Sequence, residues 1–166
     1  SPSHLSAVTT KLEDVGAKLT LGKDFIEIVP PESIRPVNVT TSIYSGFPTD
    51  MQAQWISLMS MAQGTSIITE TIYSDRFMHV PELVRLGSNI TVKDNIATVV
   101  GVNRLTGAKV MSTDLRASAS LILAGLAAEG TTEVLRVYHL DRGYEQIEKK
   151  LASLGAEIER ASGEEF

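Results

Sequence analysis

Two aspartates and three arginines carry most of the chemistry this chain could do. Asp50 follows Pro48-Thr49 and Asp114 follows Ser112-Thr113, each ahead of an Ala-rich apolar run, and Arg116 lies just inside the second run. Arg76 follows Ser74-Asp75, and Arg142 follows Asp141. The spacing puts Asp50 in the first turn of a helix, where the macrodipole favours a carboxylate and lowers its pKa; a dipole-complementing helix start is the plainer reading. Arg116 also falls in a first turn, and there the physics runs the other way. A cation facing the positive end and the unpaired N–H groups is disfavoured unless an anion binds with it or Asp114 partners it. Arg76 and Arg142 each stand at the start of a predicted helix. Any one of the three arginines could be a surface ion pair. Together, if the chain closes around a centre, they form a cluster able to take a carboxylate and a phosphate bidentately.

The remaining candidates are weaker. His79 and His139 have no second nearby histidine at metal-ligand spacing and read as core or rim residues. No Walker loop, GxGxxG, HExxH or GxSxG occurs, which removes the main support for mononucleotide, dinucleotide, zinc-protease and hydrolase readings.

The elements that must position these groups belong to a unit that occurs almost twice: FPTDMQAQWISLMSMAQGTSIIT from Phe47 and MSTDLRASASLILAGLAAEGTTEV from Met111. Both copies run Thr-Asp, apolar stretch, Gly-Thr and a β-branched run, followed by an arginine and later a Leu-Gly pair (Leu86-Gly87, Leu154-Gly155). An earlier stretch, KLEDVGAKLTLGKDFIEIV, supplies only the closing part. The period of about 70 residues exceeds that of common solenoids, and residues 1–166 are expected to be a single partial domain of about two and a half repeats within a larger protein.

Within that frame the patterning predicts a helix over His4–Val15, short strands Ala17–Thr20 and Phe25–Val29 around a Gly22-Lys23-Asp24 turn, and a strand over Val37–Ser42. Asp50–Gln63 reads as a helix with a capping box, Thr49-x-x-Gln52, and an apolar stripe of Met51, Trp55, Leu58, Met59 and Ala62 ending at Gly64. Strand Ser66–Ile72, helix Val80–Leu86, a hairpin Asn89–Gly101 turning at Asp94-Asn95 and strand Lys109–Met111 follow. Leu115–Ala128 is apolar nearly all round and predicts a fully buried helix. Strand Thr131–Val137, helix Gly143–Leu154 and strand Glu157–Arg160 close the pattern. Each unit is thus βαβαββ, an α/β (α+β) design with sheets arranged around internal helices.

Composition bounds the partners. A hydrophobic fraction of 43% suffices for a core at this length, and a net charge of −5 with pI near 5.2 argues against a general nucleic-acid surface or a polybasic membrane anchor. Any anion must be held by a few placed groups. Zero cysteines exclude disulfides and thiolate metal sites and leave a cytoplasmic location unopposed. No membrane-length apolar run occurs.

The runs FPTDMQAQ, ITETIYSDRFMHVPELVRLG, TDLRASASLILAGLAAEGTT and YHLDRGYEQIEKKLASLGAEIER make the chain resemble the C-terminal portion of the UDP-N-acetylglucosamine enolpyruvyl transferases, in the EPSP synthase-like superfamily. The resemblance runs from about Pro2 to Gly163. It implies a two-domain enzyme of six βαβαββ units in an inside-out α/β barrel, transferring the enolpyruvyl group of phosphoenolpyruvate to the 3′-hydroxyl of UDP-N-acetylglucosamine, with no metal or organic cofactor. It also implies a partner in the N-terminal portion of the same enzyme, which holds the general acid, so this chain alone is expected to be inactive.

By the same resemblance, Asp50 matches the carboxylate that binds the sugar hydroxyl and serves as its base. Ile72 matches a sugar-nucleotide contact made through the backbone. Arg76, Arg116 and Arg142 match the arginines around phosphoenolpyruvate, while Asp114, with Leu115 beside it, matches an acidic residue close to the reacting carbon. Two other readings stand beside this one: the shikimate-pathway enolpyruvyl transferase, and a non-catalytic repeat module serving in assembly.

Overall fold

The two Ala-rich runs form helices that lie side by side, with short strands around them. In the computed structural model, residues 1–162 are described; the acidic tail Gly163–Phe166, read from sequence as a solvated chain end, lies outside them. After a 3-10 turn at Pro2–Leu5 come α1 (Ser6–Asp14) and an antiparallel hairpin of β1 (Lys18–Leu21) and β2 (Ile26–Val29). One complete unit follows: β3 (Val39–Thr40), α2 (Gln52–Met59), β4 (Thr65–Thr69), α3 (Val80–Arg85), β5 (Asn89–Lys93) and β6 (Ile96–Val100). Its strands form one sheet in the order β3-β4-β6-β5, with β3 and β4 parallel and the other neighbours antiparallel. Asp94, at φ +53, supplies the left-handed residue of the β5–β6 turn.

The second copy runs through β7 (Leu105–Thr106), β8 (Lys109–Met111), α4 (Leu115–Ala127), β9 (Ala128–Glu129), β10 (Glu133–Leu135), a 3-10 helix (Val137–Arg142) and α5 (Ile147–Ser153). β8 pairs with β10 and β7 with β9, both in parallel.

Helices α2 and α4 form the inner layer. Trp55, Ile56 and Met59 from α2 and Leu121 from α4 are buried in one cluster with Ile68, Leu83, Val99 and Leu105, and each such side chain contributes about 1.5–3 kcal/mol by leaving water. The serines of α4 are tolerated in this interior because their hydroxyls bond back along the helix, Ser118 to the Asp114 carbonyl at 2.7 Å and Ser120 to that of Ala117 at 2.8 Å. Ser57 donates across to the Ser120 carbonyl at 2.8 Å and ties the two helices together.

Several expectations are corrected. The helix expected over Asp50–Gln63 begins as a 3-10 turn at Thr49–Met51 and ends at Met59. Its capping box does not form, because the Thr49 hydroxyl is engaged by Glu70 and Arg76 instead. Helix α4 is buried from Ala117 to Ile122, but Leu123 and Leu126 are exposed at 43% and 39%, so it is not enclosed all round. A left-handed Arg136 (φ +58) ends the strand expected to reach Val137, and a left-handed Gln146 (φ +45) delays α5 to Ile147. Glu157–Arg160 alternates like a strand but pairs with none among the described residues; Ile158 packs against the Ala119–Ile122–Leu140 cluster while Arg160 bonds Asp141 at 2.7 and 2.9 Å.

Candidate active site

Asp50 is held by two arginines from distant parts of the chain. Its Oδ1 accepts from Arg76 Nη1 at 2.9 Å and from Arg116 Nε at 2.7 Å. The 3-10 turn after Pro48 presents the carboxylate outward, with the Asp50 side chain 64% exposed, while α4 and the turn before α3 bring the guanidiniums to it. Partial burial works against the charged carboxylate, but the hydrogen bonds and charges of Arg116 and Arg76 outweigh it and hold the Asp50 pKa below the ordinary carboxylate value. Exposed ion pairs contribute only about 0–1 kcal/mol each, so stability does not account for two arginines converging on one surface acid.

Arg76 is fixed from three sides. Besides Asp50 it donates to Thr49 Oγ1 at 2.9 Å and lies over the Tyr73 ring at 4.2 Å from the centroid. Arg116 is carried by the first turn of α4, and the N-cap of that helix is Asp114, whose Oδ1 accepts from the Arg116 and Ala117 N–H groups at 2.8 and 3.1 Å. The positive end that disfavours a cation is thus partly neutralised by Asp114, and Asp50 supplies the anion Arg116 needs.

A cavity of about 200 Å³ opens beside this cluster, lined by Thr49, Asp75, Arg76, Asp114 and Arg116 and backed by Gln52 and His79. His79 is buried, which is the main reason its pKa falls to about 4; the nearby Asp114 charge and the Arg76 backbone offset this only in part. The ring is therefore neutral at pH 7, in keeping with a core role. No group of three or more acidic, histidine or cysteine side chains suited to a metal ion occurs among the described residues.

The structure brings Arg76, Arg116 and Asp114 into the lining of one cavity, sets Asp50 beside it through its bonds to both arginines, and leaves Arg142 outside that lining. Of the three arginines only Arg116 stands in the first turn of a helix; Arg76 lies in the turn preceding α3, and Arg142, exposed, is the last residue of the 3-10 helix. Its neighbour Gly143 lies against Leu115 at the start of α4, where an added Cβ would come within 2.9 Å of Leu115 Cδ2. Ile72 is 37% exposed in the segment after β4. Sequence reasoning missed Thr49 as an arginine ligand and missed Glu70 altogether; an acid between two threonines at the end of an apolar β run was the available signal for Glu70.

The fold is that of the enolpyruvyl transferases. The structure matches the crystal structure of the enolpyruvyl transferase NikO from Streptomyces tendae with a TM-score of 0.84 and 33% identity, covering 92% of this chain and 36% of that one. The EPSP synthase of Acinetobacter baumannii matches at a TM-score of 0.59 and 18% identity, over 78% of this chain and 31% of that one, and supports the fold alone. Residues 1–151 match the family model described as EPSP synthase (3-phosphoshikimate 1-carboxyvinyltransferase), and the chain belongs to that family. Similar curated proteins are the UDP-N-acetylglucosamine 1-carboxyvinyltransferases of Chloroherpeton thalassium, 61% identical over 99% of this chain, and of Geotalea daltonii, 58% identical over 95%. The chain spans about 38% of the length of these two relatives. No described helix is long and apolar enough to cross a membrane.

Proposed function

We propose that this chain is the C-terminal portion of a UDP-N-acetylglucosamine 1-carboxyvinyltransferase and supplies one wall of its active site. The observation that carries this reading is the convergence of Arg76 and Arg116 on the exposed carboxylate of Asp50 beside a cavity. In that role Asp50, kept ionised, accepts the proton of the sugar 3′-hydroxyl as its oxygen adds to C2 of phosphoenolpyruvate, and C3 takes a proton from an acid outside this chain. The resulting tetrahedral ketal then loses a C3 proton and phosphate, restoring the enol ether.

Arg76 and Arg116 compensate the carboxylate and phosphate charges and hold the reactants together, with Arg142 joining them. Asp114 fixes the start of α4, and hence Arg116, close to the reacting carbon, with Leu115 beside it. The 3′-linked product is a precursor of peptidoglycan, which fits a cytoplasmic step of cell-wall synthesis. The relatives' names favour the nucleotide-sugar acceptor over shikimate 3-phosphate, and the meeting of the arginines at one cavity counts against a purely structural repeat module.

The test is phosphate release from phosphoenolpyruvate by this chain alone and by the chain combined with the complementary N-terminal portion. Activity is expected only in the combination, with UDP-N-acetylglucosamine and not with shikimate 3-phosphate. Turnover by the chain alone, or a preference for shikimate 3-phosphate, would overturn this reading.

A further inference from the structure

Glu70 is the one fully buried carboxylate among the described residues, 1% exposed, and no step above uses it. Desolvation opposes its charge, but hydrogen bonds from Thr41, the Ile72 and Tyr73 backbone and Thr49 prevail and keep it ionised. Oε1 accepts from the Thr41 hydroxyl at 2.7 Å and from the N–H groups of Ile72 and Tyr73 at 2.8 and 3.1 Å; Oε2 accepts from the Thr49 hydroxyl at 2.8 Å. Burying a charge is costly, and a neutral amide could close this loop with less desolvation. Only the anion accepts from four donors while donating nothing.

Two consequences follow. The single hydrogen of the Thr49 hydroxyl is committed to Glu70, so its lone pairs remain for Arg76, whose Nη1 donates both to Thr49 Oγ1 and to Asp50 Oδ1. The second concerns the loop. Across a trans peptide the N–H and the preceding C=O point in opposite directions, so turning the Tyr73 N–H onto Glu70 turns the Ile72 carbonyl away from it.

We propose that Glu70 is a positioning residue that couples two contacts to the sugar nucleotide: it fixes the Asp50–Arg76 pair through Thr49, and it aims the Ile72 carbonyl outward as an acceptor for a ligand hydroxyl or N–H. This rests on the transferase reading. Asp50 is faced by Arg76 and Arg116, with Asp75, Asp114 and His79 around the adjoining cavity. Loosening Arg76 therefore removes one of its two cations and raises its pKa towards the ordinary value, so activity fails at a higher pH on acidification.

The experiment uses the intact transferase. Glu70→Gln is expected to raise KM for UDP-N-acetylglucosamine about ten-fold, the scale of one lost charge-assisted hydrogen bond, raise KM for phosphoenolpyruvate by a smaller factor through the loosened Arg76, and move the acid limb of kcat to higher pH. Thr49→Val cuts only the branch to Arg76 and is expected to move the acid limb with a smaller change in sugar KM; it also decides the matter if Glu70→Gln does not fold. A fall in kcat with both KM values and the acid limb unmoved marks a merely structural role and overturns the proposal. A wild type that releases no phosphate takes down the transferase reading and this proposal with it, whereas an active wild type matched by both variants overturns this proposal alone.

Discussion

Thr49-Asp50 and Thr113-Asp114 occupy the same place in the repeat, yet their carboxylates do opposite things. Asp114 has extended backbone (φ −161, ψ 177) just before α4, and its side chain closes onto the first helical N–H groups. In the other copy the extended position falls on Pro48, which has no group with which to cap, and Asp50 is drawn into a 3-10 turn where no backbone N–H takes its side chain. Its carboxylate is left for the arginines. The arginines of the two copies diverge in the same way. Arg76 is bonded and stacked in place, whereas Arg142 is exposed and makes no ion pair among the described residues. Duplication gave two equivalent starting points, and a two-residue shift in where the first helical turn begins decided which acid caps the backbone and which is left to the arginines.

The largest effect should come from neutralising the free acid. In the intact transferase Asp50→Asn is expected to lower the single-turnover rate by roughly 10²–10⁴-fold, the usual range for a general base, with little change in melting temperature. A rate within a few-fold of wild type would break the contrast between the two acids.

The next effect lies between the copies, at His79, which senses Asp114 through its charge. Its pKa near 4 in the fold, against the ordinary histidine value of 6.5, means that the unfolded chain binds the proton more readily. This contribution is complete above about pH 6.5 and is lost as pH falls towards 4, roughly 3 kcal/mol in all. Urea unfolding of this chain at pH 7 and pH 4.5 should show the loss, and His79→Gln should remove most of it; an unchanged slope with pH would assign the acid sensitivity elsewhere.

The smallest effect tests the cap. Asp114→Ala should cost about 1 kcal/mol in unfolding free energy while Asp114→Asn, which still caps, costs a few tenths. Asp50→Ala should leave stability within about 1 kcal/mol, since it removes only exposed pairs. A loss at Asp50→Ala well above about 1 kcal/mol, or an Asp114→Asn variant as destabilised as Asp114→Ala, would show that the two acids are not differently employed.

Much of the architecture was legible because its signals are local. The order βαβαββ from Val39 to Val100, the turn at Asp94-Asn95 and the strand Lys109–Met111 all follow from short-range periodicity and turn chemistry. Where sequence reading failed, a distant group competed with a nearby one. The Thr49-x-x-Gln52 box is a valid local motif, but Glu70 and Arg76, 21 and 27 residues on, take the hydroxyl. Glu157–Arg160 has a strand's alternation without a neighbouring strand to pair with, and alternation alone leaves backbone donors unmet. Arg142 matches Arg76 in register along the repeat, but its local setting differs: it ends a 3-10 helix that follows the left-handed Arg136, whereas Arg76 lies in the turn before α3.

The sequence by itself determined the repeat, the two buried helices and the set of charged residues available to a site, because periodicity, capping chemistry and composition act over a few residues. Tertiary structure alone decided which of those charges meet. Asp50 and its arginines lie 26 and 66 residues apart along the chain, and only the packing of α4 against α2, together with the placement of the turn before α3, brings both cations to one carboxylate, at separations no local propensity encodes.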